Sequence, residues 1–132
     1  MAGLVSIVIP VYNDHGALLD TLASLQRQTH REIEVIIVDD GSDFNYQLAN
    51  TNYQFPVGLH RAPHRGAAAA RNRGYQESKG EYVFFCDADV RMRPELIGRL
   101  VGALHSHPEA SYAYSGFRYG WKSMVALPFD PD

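Results

Sequence analysis

The run from Ile33 to Val38, Ile-Glu-Val-Ile-Ile-Val, is nearly continuous in β-branched apolar residues, which suits neither an amphipathic helix nor a strand wetted on one face. A strand of this kind is expected to be covered on both sides, as parallel strands are. Tyr82 to Cys86, Tyr-Val-Phe-Phe-Cys, reads the same way. Leu4 to Ile9, Ser111 to Ser115 and a brief stretch at Val57 to His60 are the other expected strands. Helices must supply the cover.

Leu18, Leu22 and Leu25, spaced four and three apart, predict a helix whose apolar stripe lies against the sheet, with Asn13 or Asp14 as N-cap. Ala67 to Ala70, followed by Arg71 and Asn72, starts a second helix ending near Gly80, its small side chains allowing close approach to a neighbour. Pro94 and Glu95 suit a first helical turn, and Ile97, Leu100, Val101 and Leu104 share one face before Pro108. Asp43 to Asn52 could be a short helix or a loop. Strands alternating with helices give the fold class α/β: a three-layer, open, mostly parallel sheet flanked by helices, with right-handed crossovers.

The length, 132 residues, fits one unit with enough chain to bury a core. A formal net charge of -3 argues against a nucleic-acid partner, whose footprint is distinctly basic. Cys86 is the single cysteine, so no intramolecular disulfide can form, and a reducing, cytoplasmic setting is expected. It reads as a small buried core residue. The apolar run at the start lacks a cationic flank and contains Pro10, and no stretch has the length of a membrane span. A membrane enters these expectations only through a longer parent chain.

In an open parallel sheet, ligands bind outside the carboxyl ends of the strands, so the residues following each apolar run carry the functional signal. After the first strand come Pro10, Val11, Tyr12 and Asn13; after the second, Asp39, Asp40, Gly41 and Ser42; after Cys86, Asp87, Ala88 and Asp89. Carboxylates crowded along one edge raise each other's pKa unless a cation sits among them, and a divalent metal would resolve that conflict. Asp87 and Asp89 are two apart, so in extended backbone both face one side. There they could hold Mg or Mn, ions that keep several waters and also take phosphate oxygens. The plainer reading is that they cap the turn before the Pro94 helix. For Asp39, turn and cap chemistry competes evenly with a ligand role. Asp40 is the better candidate to accept a hydrogen bond from a base imide or ribose hydroxyl, with Tyr12 offering a flat face for stacking. Arg71 could neutralise a phosphate or be a solvated surface charge. His105 and His107 suit the end of the last helix and take no catalytic task.

No G-x-G-x-x-G follows the first strand and no P-loop is present, which removes dehydrogenases and P-loop NTPases. The absence of H-E-x-x-H and G-x-S-x-G removes the commonest metalloprotease and α/β-hydrolase readings.

Five segments in order, Ser6-Ile-Val-Ile-Pro-Val-Tyr-Asn13, Val38-Asp-Asp-Gly-Ser42, Gly66-Ala-Ala-Ala-Ala-Arg-Asn72, Gly80-Glu-Tyr and Asp87-Ala-Asp89, resemble the family 2 glycosyltransferases of the GT-A fold, a Rossmann-like architecture. The resemblance covers roughly residues 4 to 118. It implies that Pro10, Val11 and Tyr12 line the nucleotide pocket, that Asp40 contacts the base, usually uracil, and that Arg71 sits at a basic motif position. Asp87 would meet the ribose or the metal, Ala88 lies between the two acids, and Asp89 matches the principal ligand of Mn or Mg. The implied reaction moves a sugar from a nucleotide diphosphate donor to a hydroxyl of a saccharide, lipid or other acceptor with inversion, in polysaccharide or cell-wall synthesis.

Inversion needs a general base, and in the family that residue lies further along the chain. Asp130 and Asp132 are acids in a Pro-rich tail that nothing places at the donor. Residues 1–118 are therefore expected to form the nucleotide-sugar-binding domain and residues 119–132 the start of an acceptor-side region or tail, the whole being part of a longer transferase. The alternative is a degenerate module that binds nucleotide or polysaccharide without transfer. Nucleotidyl transfer would require a glycine-rich basic loop where Pro-Val-Tyr-Asn stands.

Overall fold

Two long apolar strands and two shorter ones assemble in parallel. The computed structural model describes residues 3–43, 48, 52–119 and 122–124. In chain order the elements are β1 (Val5–Val11), α1 (His15–Gln26), β2 (Ile33–Asp39), β3 (Val57–Arg61), α2 (Ala67–Glu77), β4 (Tyr82–Phe85), α3 (Leu96–Ser106), and a separate antiparallel pair, β5 (Phe117–Tyr119) with β6 (Lys122–Met124). The main sheet runs β3-β2-β1-β4, every neighbour parallel. The chain builds outwards from β1 to β3, then returns across the sheet and adds β4 on the other side of β1.

Alternation along the strands feeds two cores. One face of β1 and β2 presents Val5, Ile7, Ile9, Val11, Ile33, Val35 and Ile37 to Leu18, Leu22 and Leu25 of α1 and to Ile97 and Val101 of α3. Each of those leucines is essentially sealed from water, and burial of one such side chain is worth about 1.5–3 kcal/mol, so the stripe outweighs the modest intrinsic helix propensity of the segment. The opposite face packs Ile36 and Val38 against Ala70 of α2. Close approach there depends on Gly74: a β-carbon at that position would stand 2.2 Å from Val8 Cγ1. At the amino-terminal end of the strands the buried Ser6 hydroxyl donates to Glu34 Oε1 (2.6 Å) and accepts from the Gly80 N–H (2.8 Å). This closes α2 back onto the sheet.

The three-layer α/β expectation is realised, with differences in detail. β2 is covered on both faces, but β4 is not: Phe85 is 48% exposed. β4 is the outermost strand on its side among the described residues, and α2 lies over β1 and β2 rather than over β4. Ser111 to Ser115 is not a strand; Tyr112 and Tyr114 there are exposed, and the strand pairing occurs at β5 and β6 instead. Without a partner strand to take its hydrogen bonds, alternation alone does not make β-structure. Pro94 and Glu95 form a turn just ahead of α3. Asp14 occupies the N-cap of α1 without a capping side-chain bond. Most of Asp43 to Asn52, and the tail from residue 125, including Asp130 and Asp132, lie outside the described residues.

Candidate functional site

The strand order reverses between β1 and β4, and a crevice opens at such a switch point beyond the carboxyl ends. Tyr12 follows β1 and the Asp87-Ala-Asp89 turn follows β4, so the two flank it. β4 ends opposite Val8, in the middle of β1, and the Cys86 N–H donates to Val8 O, so the chain leaves the sheet towards the acidic turn while β1 runs on through Ile9, Pro10 and Val11.

Pro10 and Val11 are buried within the sheet, whereas Tyr12 is 45% exposed. The turn that projects Tyr12 is held by Asn13, which takes a left-handed backbone conformation (φ 52°) that asparagine tolerates better than most residues. Its N–H donates to Ser42 Oγ, its Nδ2 donates to Asp43 Oδ2, and its Oδ1 accepts from the Asp43 N–H. The loops after β1 and β2 are thereby tied together.

The two acids after β2 have different surroundings. Asp39 is fully buried; its Oδ1 accepts from the N–H and hydroxyl of Ser42, and its Oδ2 accepts from Arg61 Nε at 3.1 Å. Arg61 stands beside Asp39 in the register of β3 on β2. Of the two readings left open for Asp39, the structure gives turn chemistry. Asp40 is only 4% exposed, with Oδ1 accepting from the Arg65 N–H (2.9 Å) and Oδ2 from the Gly66 N–H (3.1 Å). His64 Nδ1 lies 3.0 Å from both Asp40 Oδ2 and the Asp40 carbonyl oxygen, and its ring stacks on Tyr12 with centroids 4.2 Å apart. Asp40 thus shapes the loop leading into α2.

Asp87 and Asp89 are exposed. Asp87 Oδ1 accepts from Arg71 Nη2 at 3.1 Å. Ala88 turns inward to the core, and its carbonyl accepts from the Thr21 hydroxyl. Ala88 is a spacer that leaves two carboxylates on the outside. Burial, reinforced by the Asp87 and Asp89 charges, pushes the neighbouring Cys86 thiol from its ordinary 9.0 up to about 12. Cys86 is buried, as expected.

Along the rim, Arg61 offsets the charge of Asp39, backbone N–H groups that of Asp40 and Arg71 that of Asp87. Among the described residues no group of three or more His, Cys, Asp and Glu is gathered as a metal site. Asp87 and Asp89 nonetheless fit Mg or Mn in the manner such ions favour, with one or two carboxylates from the protein and the rest from water and phosphate. Arg61 and His64 were not singled out from sequence as site residues. Arg61 becomes legible only once β3 is registered on β2.

The family model described as "Glycosyl transferase family 2" matches residues 6–126. The chain belongs to this family. An uncharacterized glycosyltransferase of Haemophilus influenzae is 35% identical over 97% of the chain and 45% of that protein. The putative teichuronic acid biosynthesis glycosyltransferase TuaG of Bacillus subtilis is 32% identical over 96% of the chain and 51% of that protein, and glycosyltransferase GlyG of Streptococcus pneumoniae is 33% identical over 76% and 35%. The chain thus spans about half or less of these relatives' length. The structure of S. aureus TarS 1-349 in complex with UDP-GlcNAc superposes with a TM-score of 0.71 at 24% identity, covering 79% of the chain and 32% of that one. This family 2 member has the GT-A fold. No helix among its described residues is long and apolar enough to cross a membrane.

Proposed function

We propose that this chain is the donor-binding part of a glycosyltransferase that transfers a sugar from a nucleoside diphosphate, a UDP-sugar, to an acceptor hydroxyl with inversion. The observation that carries the reading is the pair of exposed carboxylates, Asp87 and Asp89, in the turn that follows β4 at the carboxyl side of the switch point between β1 and β4. Support also comes from family membership and from the UDP-GlcNAc complex of TarS, a protein of the same fold.

In this reading Tyr12 stacks on the base, Asp40 accepts from its imide or from the ribose, and Pro10 and Val11 form the floor beneath. Asp89, with Asp87, would hold Mg or Mn, which supplies positive charge against the leaving diphosphate. Arg71 orients Asp87 through its hydrogen bond to Oδ1, and its remaining N–H donors are those that would meet a phosphate. The acceptor oxygen forms the new bond to the anomeric carbon, the bond from that carbon to the diphosphate oxygen breaks with its electron pair, and the acceptor proton passes to a general base. No base is assigned among the described residues. The acceptor, a saccharide, lipid or other hydroxyl compound, is left to the rest of the transferase, and no nucleic acid takes part.

Titration calorimetry with UDP, with and without Mn, tests this. Metal-dependent UDP binding is expected, and Asp89→Asn should weaken it at least about tenfold while changing folding stability by less than about 0.5 kcal/mol, because the side chain is exposed. Absence of binding at millimolar UDP with Mn rejects the reading, and an unchanged affinity in Asp89→Asn rejects the ligand assignment.

A further inference from the structure

His64 lies with its ring flat on Tyr12, the planes inclined by 22°, and with Nδ1 within 3.0 Å of both the carbonyl oxygen and the Oδ2 of Asp40. A carbonyl oxygen has no hydrogen to give, so Nδ1 carries the hydrogen and donates it. A flat ring stacked on Tyr12, donating N–H to the Asp40 carbonyl oxygen and lying 3.0 Å from Asp40 Oδ2, takes the stacking place, and the position next to the carboxylate, that the proposed function assigns to a nucleobase with an imide N–H. A centroid spacing of 4.2 Å leaves no room for a base between the rings.

We infer that His64 is an internal stand-in for the base. In the free protein it covers the stacking face of Tyr12 and lies against Asp40 Oδ2; a uracil-type base binds by displacing it, uncovering both groups together while Oδ2 keeps its bond from the Gly66 N–H. The attachment is suited to exchange. The imidazole is more than half exposed, while its backbone remains fixed by the neighbouring Arg65 and Gly66 N–H bonds to Asp40, so the side chain can rotate away without unfolding the loop. The inference rests on the nucleotide reading of the site.

The test compares UDP and ribose 5-diphosphate, which lacks the base, each with Mn, on the wild type, His64→Ala and His64→Asn. Asparagine keeps an N–H donor for Asp40 but has no ring, so it separates loss of the stack from loosening of the loop. UDP should bind about 2- to 10-fold more tightly to His64→Asn, the range that one aromatic pair commands, with no gain for ribose 5-diphosphate. In NMR spectra of the wild type, the His64 ring protons should move from a ring-current-shifted position towards their solvent position on UDP saturation. Unchanged or weaker UDP binding in His64→Asn, an equal gain for ribose 5-diphosphate, or a His64 resonance indifferent to UDP would each overturn the inference while wild-type UDP binding stood. Failure of every form to bind UDP would remove the nucleotide reading and the stand-in with it.

Discussion

Gly41 follows the buried acids at the end of β2 and packs against the loop that carries His64, and replacing it with alanine should be costly for two reasons that add. Its φ is +78°, where an L-residue costs about 1–2 kcal/mol. A β-carbon there would also stand 2.6 Å from the His64 backbone nitrogen and 3.1 Å from its α-carbon, against an ordinary contact of about 3.5–4.0 Å. Because the obstacle is backbone, relief requires the 64–66 loop to move away from Asp40, which is overpacking of the kind that costs about 1–3 kcal/mol. Together the loss is about 2–5 kcal/mol, readable as a drop in the urea midpoint at constant slope. Gly66→Ala is the control: Gly66 also has positive φ (96°), but nothing lies within 4 Å of its would-be β-carbon, so only backbone strain applies. Hydrogen exchange at the Arg65 and Gly66 amides should accelerate more in Gly41→Ala than in Gly66→Ala, since the first substitution pushes those groups off the Asp40 carboxylate. A Gly41→Ala protein within about 0.5 kcal/mol of wild type, with both amides still protected, would refute the contact argument.

Two further outcomes follow from the buried groups. Arg61→Ala should destabilise by about 1–3 kcal/mol, because Asp39 keeps its Ser42 bonds but loses the guanidinium while remaining sealed from water; Asp39→Asn in the same chain should recover part of the loss in a denaturation cycle, and strictly additive losses would contradict the pairing. Cys86 retains its proton in the folded state up to about pH 12, whereas the unfolded thiol releases it near 9.0, so its contribution is whole below about 9 and is lost as pH rises towards 12. Cys86→Ala should show a shallower alkaline decline in stability, and the wild-type thiol should react with iodoacetamide near pH 8 far more slowly than free cysteine; fast alkylation of folded protein would contradict its burial.

The parts of this molecule legible from sequence are those decided locally. Ile33 to Val38 announced a doubly covered strand because five of its six residues are apolar and β-branched, with Glu34 the exception, and Leu18, Leu22 and Leu25 announced the stripe of α1 because their spacing is the helix's own. The rim was legible as a set of residues and not as an electrostatic environment. Asp39 and Asp40 are adjacent acids on one turn, and only the register of β3 brings Arg61 to the first, while only the path of residues 64–66 brings two N–H groups to the second. The composition of β4 likewise resembles that of β2, yet the degree of cover depends on where α2 crosses, a property of topology that four residues do not encode.

Helix α1 and the turn that follows it grip the segment after β4 at several points. The Thr21 hydroxyl lies between the Ala88 and Val90 carbonyls, Asp20 accepts from Arg91, the buried Gln28 side chain donates to Arg93 O and accepts from the Ile97 N–H, and the Thr29 N–H donates to Pro94 O. Residues 88–97 are consequently clamped rather than hung from the sheet. In the proposed reading a diphosphate meets Asp89 on backbone that is already held, so the entropy of ordering that stretch is lost when the chain folds and not again when ligand docks.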